Sequence, residues 1–289
     1  MSKTKVFREL MSQGCLIRAP GVYDGITARL VEQAGFPVAY MTGAGTSMSL
    51  GYPDYGLLTQ TEMVANAAVI SRTIDIPVVA DADTGYGNEL NVTRTINEYE
   101  RAGIAAIHME DQVSPKRCGH LAGKELIPIE EYAAKIRAAV AARRDPDFVI
   151  IARTDANTVT GFEDAISRAN IAMENGADIA FVESPRDMEE LAAVPKRVNG
   201  PCLINVVVGG VTPDVNLRDA EKMGFRLAIM PSMLISTIFN ACDQVLEELN
   251  QTDQPPTSKG VMTVGQRFNR FHGEYWNGLR TKFQDPPAS

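Results

Sequence analysis

Short apolar runs recur along the first 250 residues, and a longer segment with apolar residues at helical spacing follows each of them. Runs of this length bounded by Gly, Pro or Asp are typical of buried strands, and the longer segments are typical of amphipathic helices. The predicted strands are Cys15–Gly21, Val38–Gly43, Ile76–Asp81, Ala105–Glu110, Phe148–Arg153, Ile179–Glu183, Cys202–Val206 and Leu227–Pro231. The predicted helices are Val6–Gln13, Gly25–Ala34, Thr61–Ile74, Val92–Ala102, Ile129–Arg143, Gly161–Asn175, Met188–Val198, Asn216–Met223 and Ser236–Leu249.

The alternation of strands and helices predicts an α/β fold with parallel strands joined by crossover helices. A doubly wound open sheet alternates in the same way. The eight predicted strands favour a closed (β/α)8 barrel of the TIM type. No Pro- or Ser-rich linker interrupts the first 250 residues, so they are predicted to form one catalytic domain.

The end of the chain has a different pattern. Residues 251–260 are rich in Thr, Gln, Pro and Ser and are predicted to be a linker, and residues 261–289 a helical extension. Within Met262–Phe283, apolar residues recur at helical spacing; they are Phe268, Phe271, Tyr275, Trp276 and Leu279. This stripe could pack on the barrel of its own chain or cross to another subunit, and its aromatic content suits an interface.

Composition narrows the class of protein. The 289 residues are 45% hydrophobic with a net charge of −8, and no block of Lys or Arg indicates a nucleic-acid partner. The segment Met1–Leu10 lacks the apolar run of a signal peptide, and no apolar stretch is long enough to cross a membrane. The four cysteines lack Cys-x-x-Cys spacing, which argues against zinc sites and disulfides. A cytoplasmic enzyme is expected.

Polar residues recur at the predicted strand ends, where barrel enzymes carry their active sites. One carboxylate after a strand could simply cap the next helix, but repetition at successive strands indicates a shared site. These residues are Asp81, Asp83, Glu110, Asp111, Arg153, Asp155, Glu183 and Asn205.

Asp81, Asp83 and Glu110 supply hard oxygen ligands, and we expect no His or Cys partner beside them. Such ligands favour Mg²⁺, or Mn²⁺ as a substitute, over zinc. The alternative for Asp81 and Asp83 is a turn held by their own side chains, because glycines follow them. Asp54 is a weaker candidate, since the glycines and proline around it already predict a turn.

Arg153 ends a buried strand, so its guanidinium should face carboxylates of the protein or of a substrate. The Thr42–Gly45 segment offers backbone N–H groups after a strand, which suits an anion but is equally compatible with an ordinary turn. Tyr40 is expected to line the barrel interior. His108 lies inside a strand and is expected to be a core histidine without a catalytic role.

A thiol lies in the polar segment Lys116-Arg117-Cys118-Gly119-His120, shortly after the strand that ends at Glu110. The flanking cations are expected to lower the pKa of Cys118, and the glycine lets the segment move. We therefore expect a mobile catalytic loop beside a metal-binding carboxylate cluster. Such a site suits a 2-oxo or 2-hydroxy acid, with the thiol protonating a carbanion or abstracting a proton. These residues predict a metal-dependent barrel lyase.

Six stretches carry a resemblance to a known family: YDGITARLVEQAGF, YMTGAGTS, DADTGYGN, MEDQVSPKRCGH, IIARTDA and NVVVGG. From Phe7 to Leu249 the chain resembles the isocitrate lyase / phosphoenolpyruvate mutase superfamily. The KRCGH pentapeptide is similar to that of the lyase branch, which includes 2-methylisocitrate lyase and 2,3-dimethylmalate lyase. Carboxyphosphonoenolpyruvate mutase carries the same pentapeptide.

The resemblance implies a Mg²⁺-dependent barrel in which Cys118 is the general acid and Tyr40 lies beside the developing oxyanion, with Arg153 and Glu110 also in the catalytic set. The implied metal set is Asp54, Asp81, Asp83 and Glu110. The implied substrate-binding set is Thr42, Gly43, Ala44, Asp81, Gly119, His120, Arg153, Glu183, Asn205 and Pro231. It also implies a C-terminal helix swapped between subunits, in a homotetramer that is a dimer of dimers.

The expected reaction is retro-aldol cleavage of a 2-alkylmalate-type acid, 2,3-dimethylmalate or 2-methylisocitrate, to pyruvate plus a saturated carboxylate. The chain would then be an oxo-acid-lyase that acts on a small di- or tricarboxylate. Met230-Pro231-Ser232 keeps a proline found in lyases, but the serine after it differs from the usual Leu or Phe. Oxaloacetate hydrolysis and phosphonate formation stay open as alternatives on the same scaffold. A non-catalytic barrel that binds a metabolite is the alternative of another class.

Overall fold

Parallel strands close into a barrel in which each strand pairs with its neighbours in chain order and the first pairs with the last. The structure is a computed structural model that describes residues 1–256, 260 and 262–284. The strands are β1 Ile17–Val22, β2 Ala39–Met41, β3 Val78–Asp81, β4 Ala106–Glu110, β5 Val149–Thr154, β6 Ile179–Val182, β7 Cys202–Asn205 and β8 Leu227–Met230. The predicted (β/α)8 barrel is confirmed.

Helices connect the strands and surround the barrel. They are α1 Lys3–Ser12, α2 Gly25–Gln33, α3 Gly43–Ser49, α4 Gln60–Thr73, α5 Glu89–Arg101, α6 Ile129–Ala142, α7 Phe162–Glu174, α8 Met188–Arg197, α9 Leu217–Met223, α10 Met233–Thr252, α11 Val264–Asn269 and α12 Gly273–Gln284. A short 3₁₀ helix, Ala156–Thr158, follows β5.

Helix α3 was not expected, because its sequence of Gly, Ala, Ser, Thr and Met is a poor helix former on intrinsic propensity. Thr42 stabilises its start, since the side-chain hydroxyl accepts a hydrogen bond from the backbone N–H of Gly45. Asn66 on α4 donates to the hydroxyl of Thr46 at 3.0 Å, which ties the helix to its neighbour. Tertiary contacts therefore override the local preference.

Alternate residues of each strand point to opposite sides of the barrel wall, as the period of a β-strand requires. On β5, Val149 and Ile151 belong to the apolar cluster that fills the barrel interior, whereas Ile150 and Ala152 pack against the surrounding helices. Phe7 of α1 is fully buried in the same interior cluster. Arg153 has the parity of Val149 and Ile151, so its side chain is on the interior side.

The chain divides into two compact units, Met1–Ser236 and Thr237–Ser289. Helix α10 begins in the first unit and continues into the second. The predicted boundary near residue 250 stays a prediction, and part of the predicted linker, residues 257–259, lies outside the described residues, as do residues 261 and 285–289 of the predicted extension.

The C-terminal stripe extends over two helices, α11 and α12. The residues between α11 and α12 include His272, whose φ of 60° is incompatible with a continuous right-handed helix. The second unit exposes large apolar side chains; they include Phe239, Leu246, Phe268, Tyr275 and Trp276. Across the part of the chain that the structure describes, no helix combines the length and hydropathy that crossing a bilayer requires.

Candidate active site

Twelve of the predicted site residues line one cavity of about 260 Å³ beyond the carboxyl ends of the strands. They are Tyr40, Thr42, Ala44, Asp54, Asp81, Cys118, Gly119, His120, Arg153, Glu183, Asn205 and Pro231. Five predicted residues do not line it. Asp111 and Asp155 are fully buried, and Asp155 contacts Arg153. Asp83 borders a separate cavity of about 340 Å³, Glu110 is buried against Arg153, and the backbone N–H of Gly43 donates to Asp81 at 3.2 Å.

Strand register brings these residues together from distant parts of the sequence. Asp81 of β3 is paired with His108 of β4, and Glu110 of β4 is paired with Arg153 of β5. These side chains have the inward parity of their strands and lie at the carboxyl ends, where barrel enzymes carry their active sites.

Arg153 is buried among three carboxylates. Its Nε and Nη2 donate to Asp155 at 2.9 and 3.1 Å. Its Nη1 lies 3.5 Å from Glu110, and its Nη2 lies 3.4 Å from Glu183. The guanidinium carbon also lies 5.2 Å from the centroid of the Phe181 ring. A forked, permanently charged group suits this position, and the prediction that Arg153 faces carboxylates is confirmed.

Lys116 lies between two of the predicted metal ligands. Its Nζ is 2.5 Å from Asp54 and 3.1 Å from Asp83, and its side chain is buried. Although burial opposes the charged form, Asp83, Glu110 and Asp54 raise the pKa of Lys116 well above its ordinary value. The ammonium group therefore balances part of the negative charge that the cluster concentrates.

The carboxylates of the cluster hold their protons more strongly than in water. Burial raises the pKa of Asp83 to about 6. The Lys116 charge opposes this rise, and the Asp81 charge adds to it. Burial likewise raises the pKa of Asp81 and of Glu110. A divalent cation would relieve this accumulation of charge, because it would favour the ionised carboxylates.

His108 corrects the expectation that no histidine lies near the carboxylates. Its Nε2 is 2.8 Å from the hydroxyl of Tyr40 and 3.8 Å from Asp81. Burial, helped by the Arg153 charge, lowers the pKa of His108 to about 3, so the ring is neutral. Its Nδ1 has no hydrogen-bond partner among the described residues, so it is not the fully satisfied core histidine that was expected.

A metal ion fits this part of the site. Asp81, His108 and Glu110 can each offer one ligand atom, and these atoms lie within 4.8 Å of one another. Glu110 Oε2 is buried without a hydrogen-bond partner in the described part of the chain. This oxygen lies 3.5 Å from the Arg153 guanidinium, which is an ion-pair distance without a hydrogen bond, and a cation is one way to satisfy it. His108 was missed as a candidate because nothing in the sequence places it beside Asp81.

The segment that carries Cys118 is held at its start by Gln112. The side-chain amide of Gln112 accepts from the N–H of Arg117 and donates to the carbonyl of Arg117, both at 2.9 Å. Gly119 packs directly on Arg153 and Glu183, so that a Cβ at this position would collide with both. The glycine is required for this close approach.

The expectation of a low thiol pKa is wrong. Burial raises the pKa of Cys118 above its ordinary value, because the side chain is mostly enclosed. The neighbouring cations do not reverse the shift: Lys116 binds Asp54, and the exposed Arg117 donates to the carbonyl of Ala122. A protonated thiol at neutral pH suits a proton donor better than a nucleophile.

His120, Asn205 and Glu183 form a polar wall of the cavity. The N–H of Val211 donates to His120 Nδ1 at 3.1 Å, which leaves the proton of a neutral ring on Nε2, 3.8 Å from Glu183. Asn205 Nδ2 donates to Glu183 at 3.2 Å, and its Oδ1 has no partner among the described residues. This arrangement leaves an amide oxygen available to a substrate donor.

The rest of the cavity wall is mainly apolar, and sequence reasoning missed it. Met48, Val207 and Ile235 line the cavity beside Pro231 and Ser232. They come from helix α3, the segment after β7 and the start of α10, and no local pattern marks them as site residues. A small acid with an alkyl substituent would find both polar and apolar surface here.

Comparison with known proteins agrees with this geometry. The family model described as phosphoenolpyruvate phosphomutase matches residues 7–250. A 2,3-dimethylmalate lyase of Eubacterium barkeri is 44% identical over 273 residues, which cover 94% of this chain and 93% of the relative. A 2-methylisocitrate lyase of Aeropyrum pernix is 44% identical over 84% of this chain and 79% of the relative.

Among solved structures, an oxaloacetate acetylhydrolase in complex with 3,3-difluorooxalacetate superposes with a TM-score of 0.94 at 37% identity and covers 99% of both chains. The family match spans the whole barrel, from α1 into α10, and therefore includes every residue that lines the cavity. The chain belongs to the phosphoenolpyruvate mutase / isocitrate lyase superfamily.

Proposed function

We propose that this protein is a carbon–carbon lyase that cleaves a 2-alkylmalate-type acid, 2,3-dimethylmalate or 2-methylisocitrate, to pyruvate and a saturated carboxylate. The observation that carries the proposal is the placement of a protonated thiol, Cys118, on the same cavity as Arg153 and the buried carboxylates. Both named lyases above are 44% identical to this chain.

Each group has a proposed task in the retro-aldol step. The bond between the hydroxyl-bearing carbon and its neighbour breaks, the hydroxyl proton passes to the carboxylate cluster, and the hydroxyl oxygen becomes the ketone of pyruvate. The electron pair of the broken bond goes to the departing carbon, which takes the proton of the Cys118 thiol. Arg153 binds a substrate carboxylate, and the buried hydroxyl of Tyr40 lies where negative charge develops on oxygen.

The remaining predicted residues hold the substrate in place. The backbone of Thr42, Gly43 and Ala44 is proposed to bind a carboxylate, while Gly119, His120, Glu183 and Asn205 contact the departing fragment. Pro231 is proposed to shape the far wall with its apolar neighbours. The assignment of Gly43 rests on the motif match alone, and the others rest on the shared cavity and on the motif match.

A divalent metal ion, proposed to be Mg²⁺ with Mn²⁺ as a substitute, would be held by Asp81, Asp83, Glu110 and Asp54, with some contacts through water. When bound, it would polarise a substrate oxygen and stabilise negative charge there. The oxygen-rich donor set supports this choice, since Mg²⁺ prefers carboxylates and water. His108 lies beside this set, with its Nε2 3.8 Å from Asp81 and hydrogen-bonded to the hydroxyl of Tyr40.

One observation favours a second candidate function, the hydrolysis of oxaloacetate to oxalate and acetate. Ser232 lines the cavity directly after Pro231, and its hydroxyl could hydrogen-bond to the water molecule that hydrolysis requires. The solved structure of an oxaloacetate acetylhydrolase superposes on this chain with a TM-score of 0.94. The mainly apolar wall of Met48, Val207 and Ile235 argues for an alkyl-substituted substrate instead.

A substrate panel separates these functions. We expect pyruvate release from 2,3-dimethylmalate or 2-methylisocitrate that requires Mg²⁺ and is abolished by EDTA, because the carboxylate cluster needs a cation to act on the substrate oxygen. Pyruvate is measured with a coupled dehydrogenase, and oxalate from oxaloacetate is measured in parallel. Faster oxalate formation would favour the hydrolase, turnover of only a phosphonate would favour a mutase, and no turnover at all would favour a binding protein.

The assembly is also proposed. We propose a homotetramer, a dimer of dimers that swap their C-terminal helices, and a cytoplasmic location. The exposed aromatic residues of the second unit support the swap, because such a surface is normally covered in an assembly. Light scattering should give four times the 31.4 kDa chain mass. A chain that ends at residue 250 should form smaller species, and an unchanged tetramer after that truncation would contradict the swap.

A further inference from the structure

Besides Lys116, Lys124 is a second buried lysine. It ends residues 116–124, the Cys118 segment, and has no role in the proposed reaction. The side chain of Lys124 is 2% exposed, and its Nζ donates to Asp155 at 3.0 Å and to the carbonyl of Gly119. Lys124 does not line the active-site cavity. An ammonium group is buried only where nearby groups satisfy it, and these two acceptors do so.

One of the two acceptors lies next to the catalytic thiol, and the other lies next to the Arg153 guanidinium. Gly119 directly follows Cys118, and Asp155 makes the bidentate contact with Arg153. Although burial opposes it, the charges of Arg153 and Lys124 lower the pKa of Asp155, so this carboxylate is ionised at neutral pH. One ammonium group thus joins the backbone next to the thiol to the carboxylate that orients the guanidinium.

Apolar packing alone does not hold the Cys118 segment. Its residues Gly119 to Lys124 border a cavity of about 420 Å³ on one side, together with Thr158, Val159 and Val211. Leu121, Ala122 and Gly123 are exposed. A segment with few buried apolar contacts is easily displaced unless specific polar contacts retain it. The Gly119 carbonyl has a weaker second donor, the Ser184 hydroxyl at 3.4 Å.

We propose that Lys124 is a positioning residue, which fixes the Cys118 thiol relative to the Arg153 guanidinium by holding the Gly119 carbonyl and the Asp155 carboxylate at the same time. Lys116 retains the other end of the segment through Asp54. Cys118 therefore lies between two buried lysines, and each of them contacts a carboxylate of the protein.

The consequence for catalysis rests on the proposed function, but the positioning itself does not. If Lys124 only neutralised Asp155, its loss would lower stability without changing how the folded protein exposes its thiol. If Lys124 positions the segment, its loss would expose Cys118 in a protein that is still folded. The reactivity of the thiol in the absence of substrate distinguishes the two roles.

The test is the alkylation rate of Cys118 by iodoacetamide, followed by mass spectrometry of its peptide in the full-length protein between pH 7 and 9. In Lys124→Met, which keeps the length of the side chain without its charge, we expect a rate at least fivefold above wild type throughout this range. The exposed thiol of Cys15 in the same sample is the internal control, and its rate should not change. With substrate, we expect kcat to fall about tenfold or more.

Lys222→Met is the matched control, because Lys222 is an exposed lysine that pairs with Asp219 outside the cavity. It should leave both the alkylation rate and kcat near the wild-type values. If Lys124→Met does not fold, Lys124→Gln, which retains a donor, should give a smaller rise in the alkylation rate. A folded Lys124 variant that alkylates Cys118 at the wild-type rate would overturn the proposal. If alkylation rises in Lys124→Met and the wild-type protein releases no pyruvate from either acid, only the proposed function is refuted.

Discussion

Replacing Cys118 by serine is expected to lower kcat by about 10²–10⁴-fold, because a hydroxyl is a far weaker acid than a thiol in the same place. The side chain keeps its size and its position on the cavity, so the change removes the proton donor and little else. KM should change little, since the thiol acts on the carbanion formed during the reaction and not on the bound acid. Initial rates of pyruvate release over a range of substrate concentrations, at saturating Mg²⁺, measure both constants.

Cys15→Ser is the matched control for this prediction. Cys15 is a free, exposed thiol that lies before β1, outside the cavity, and its replacement should leave kcat unchanged. Cys118→Ala should be at least as impaired as Cys118→Ser. If Cys118→Ser kept more than a tenth of the wild-type kcat, another group would have to be the acid.

The second large effect is expected from Arg153→Met, which should lower both activity and the free energy of unfolding. The change leaves Asp155, Glu110 and Glu183 without the guanidinium that they share. Removing one partner of a buried ion pair typically costs about 3–5 kcal/mol, because the remaining charges are left buried and uncompensated. Urea unfolding at pH 7 measures the stability, and we expect no measurable lyase activity.

The stability lost in Arg153→Met is expected to decrease as the pH falls. In the wild type the pKa of Asp155 is held below its ordinary value, against burial, by Arg153 and Lys124. Such a group contributes stability above its unfolded pKa of about 3.9, and that stability is lost as the pH falls through the lower folded pKa. In Arg153→Met, the pKa of Asp155 and of Glu110 should rise, so the folded variant takes up protons as the pH decreases. The stability difference from wild type should therefore be largest near pH 7 and shrink towards pH 4.

Two further variants test this account of Arg153. Arg153→Lys keeps the charge but loses the two-pronged contact with Asp155, so it should be less destabilised than Arg153→Met while remaining poorly active. Arg197→Met removes an exposed arginine that pairs with Glu163, and its stability should remain close to wild type. Equal stability losses in Arg153→Met and Arg197→Met would contradict the importance of the buried network.

The fold could be predicted because its signals are local. A strand such as Val149–Thr154 is a continuous apolar run, and its period of two places Arg153 on the interior side with Val149 and Ile151. The same parity applies to Tyr40 and Asn205. Since parallel strands end at one edge, a polar residue of inward parity at each end predicts a common site without knowledge of any contact.

The pairs inside that site could not be predicted, because their members are far apart along the chain. Lys116 contacts Asp54 across 62 residues, and Tyr40 contacts His108 across 68. Strand register decides that Asp81 lies opposite His108, and register depends on how all neighbouring strands pack. Lys124 carried no signal at all, since nothing local distinguishes a buried lysine from a solvated one.

Burial also reversed one prediction from sequence. The cations beside Cys118 in the sequence suggested a low thiol pKa, but the folded chain encloses the thiol and directs Lys116 to Asp54. Neighbours in sequence need not be neighbours in space, and desolvation depends on every element packed around a group.

By itself, the sequence of this protein determined the barrel and the inward set of polar residues, because these follow from periods of two and of 3.6 along the chain. It also showed a thiol directly after two cationic residues. Only the tertiary structure decided which charges meet, that Cys118 keeps its proton, and that Lys124 reaches both Gly119 and Asp155. Periodicity acts over a few residues, whereas contact, burial and charge compensation depend on segments that folding brings together.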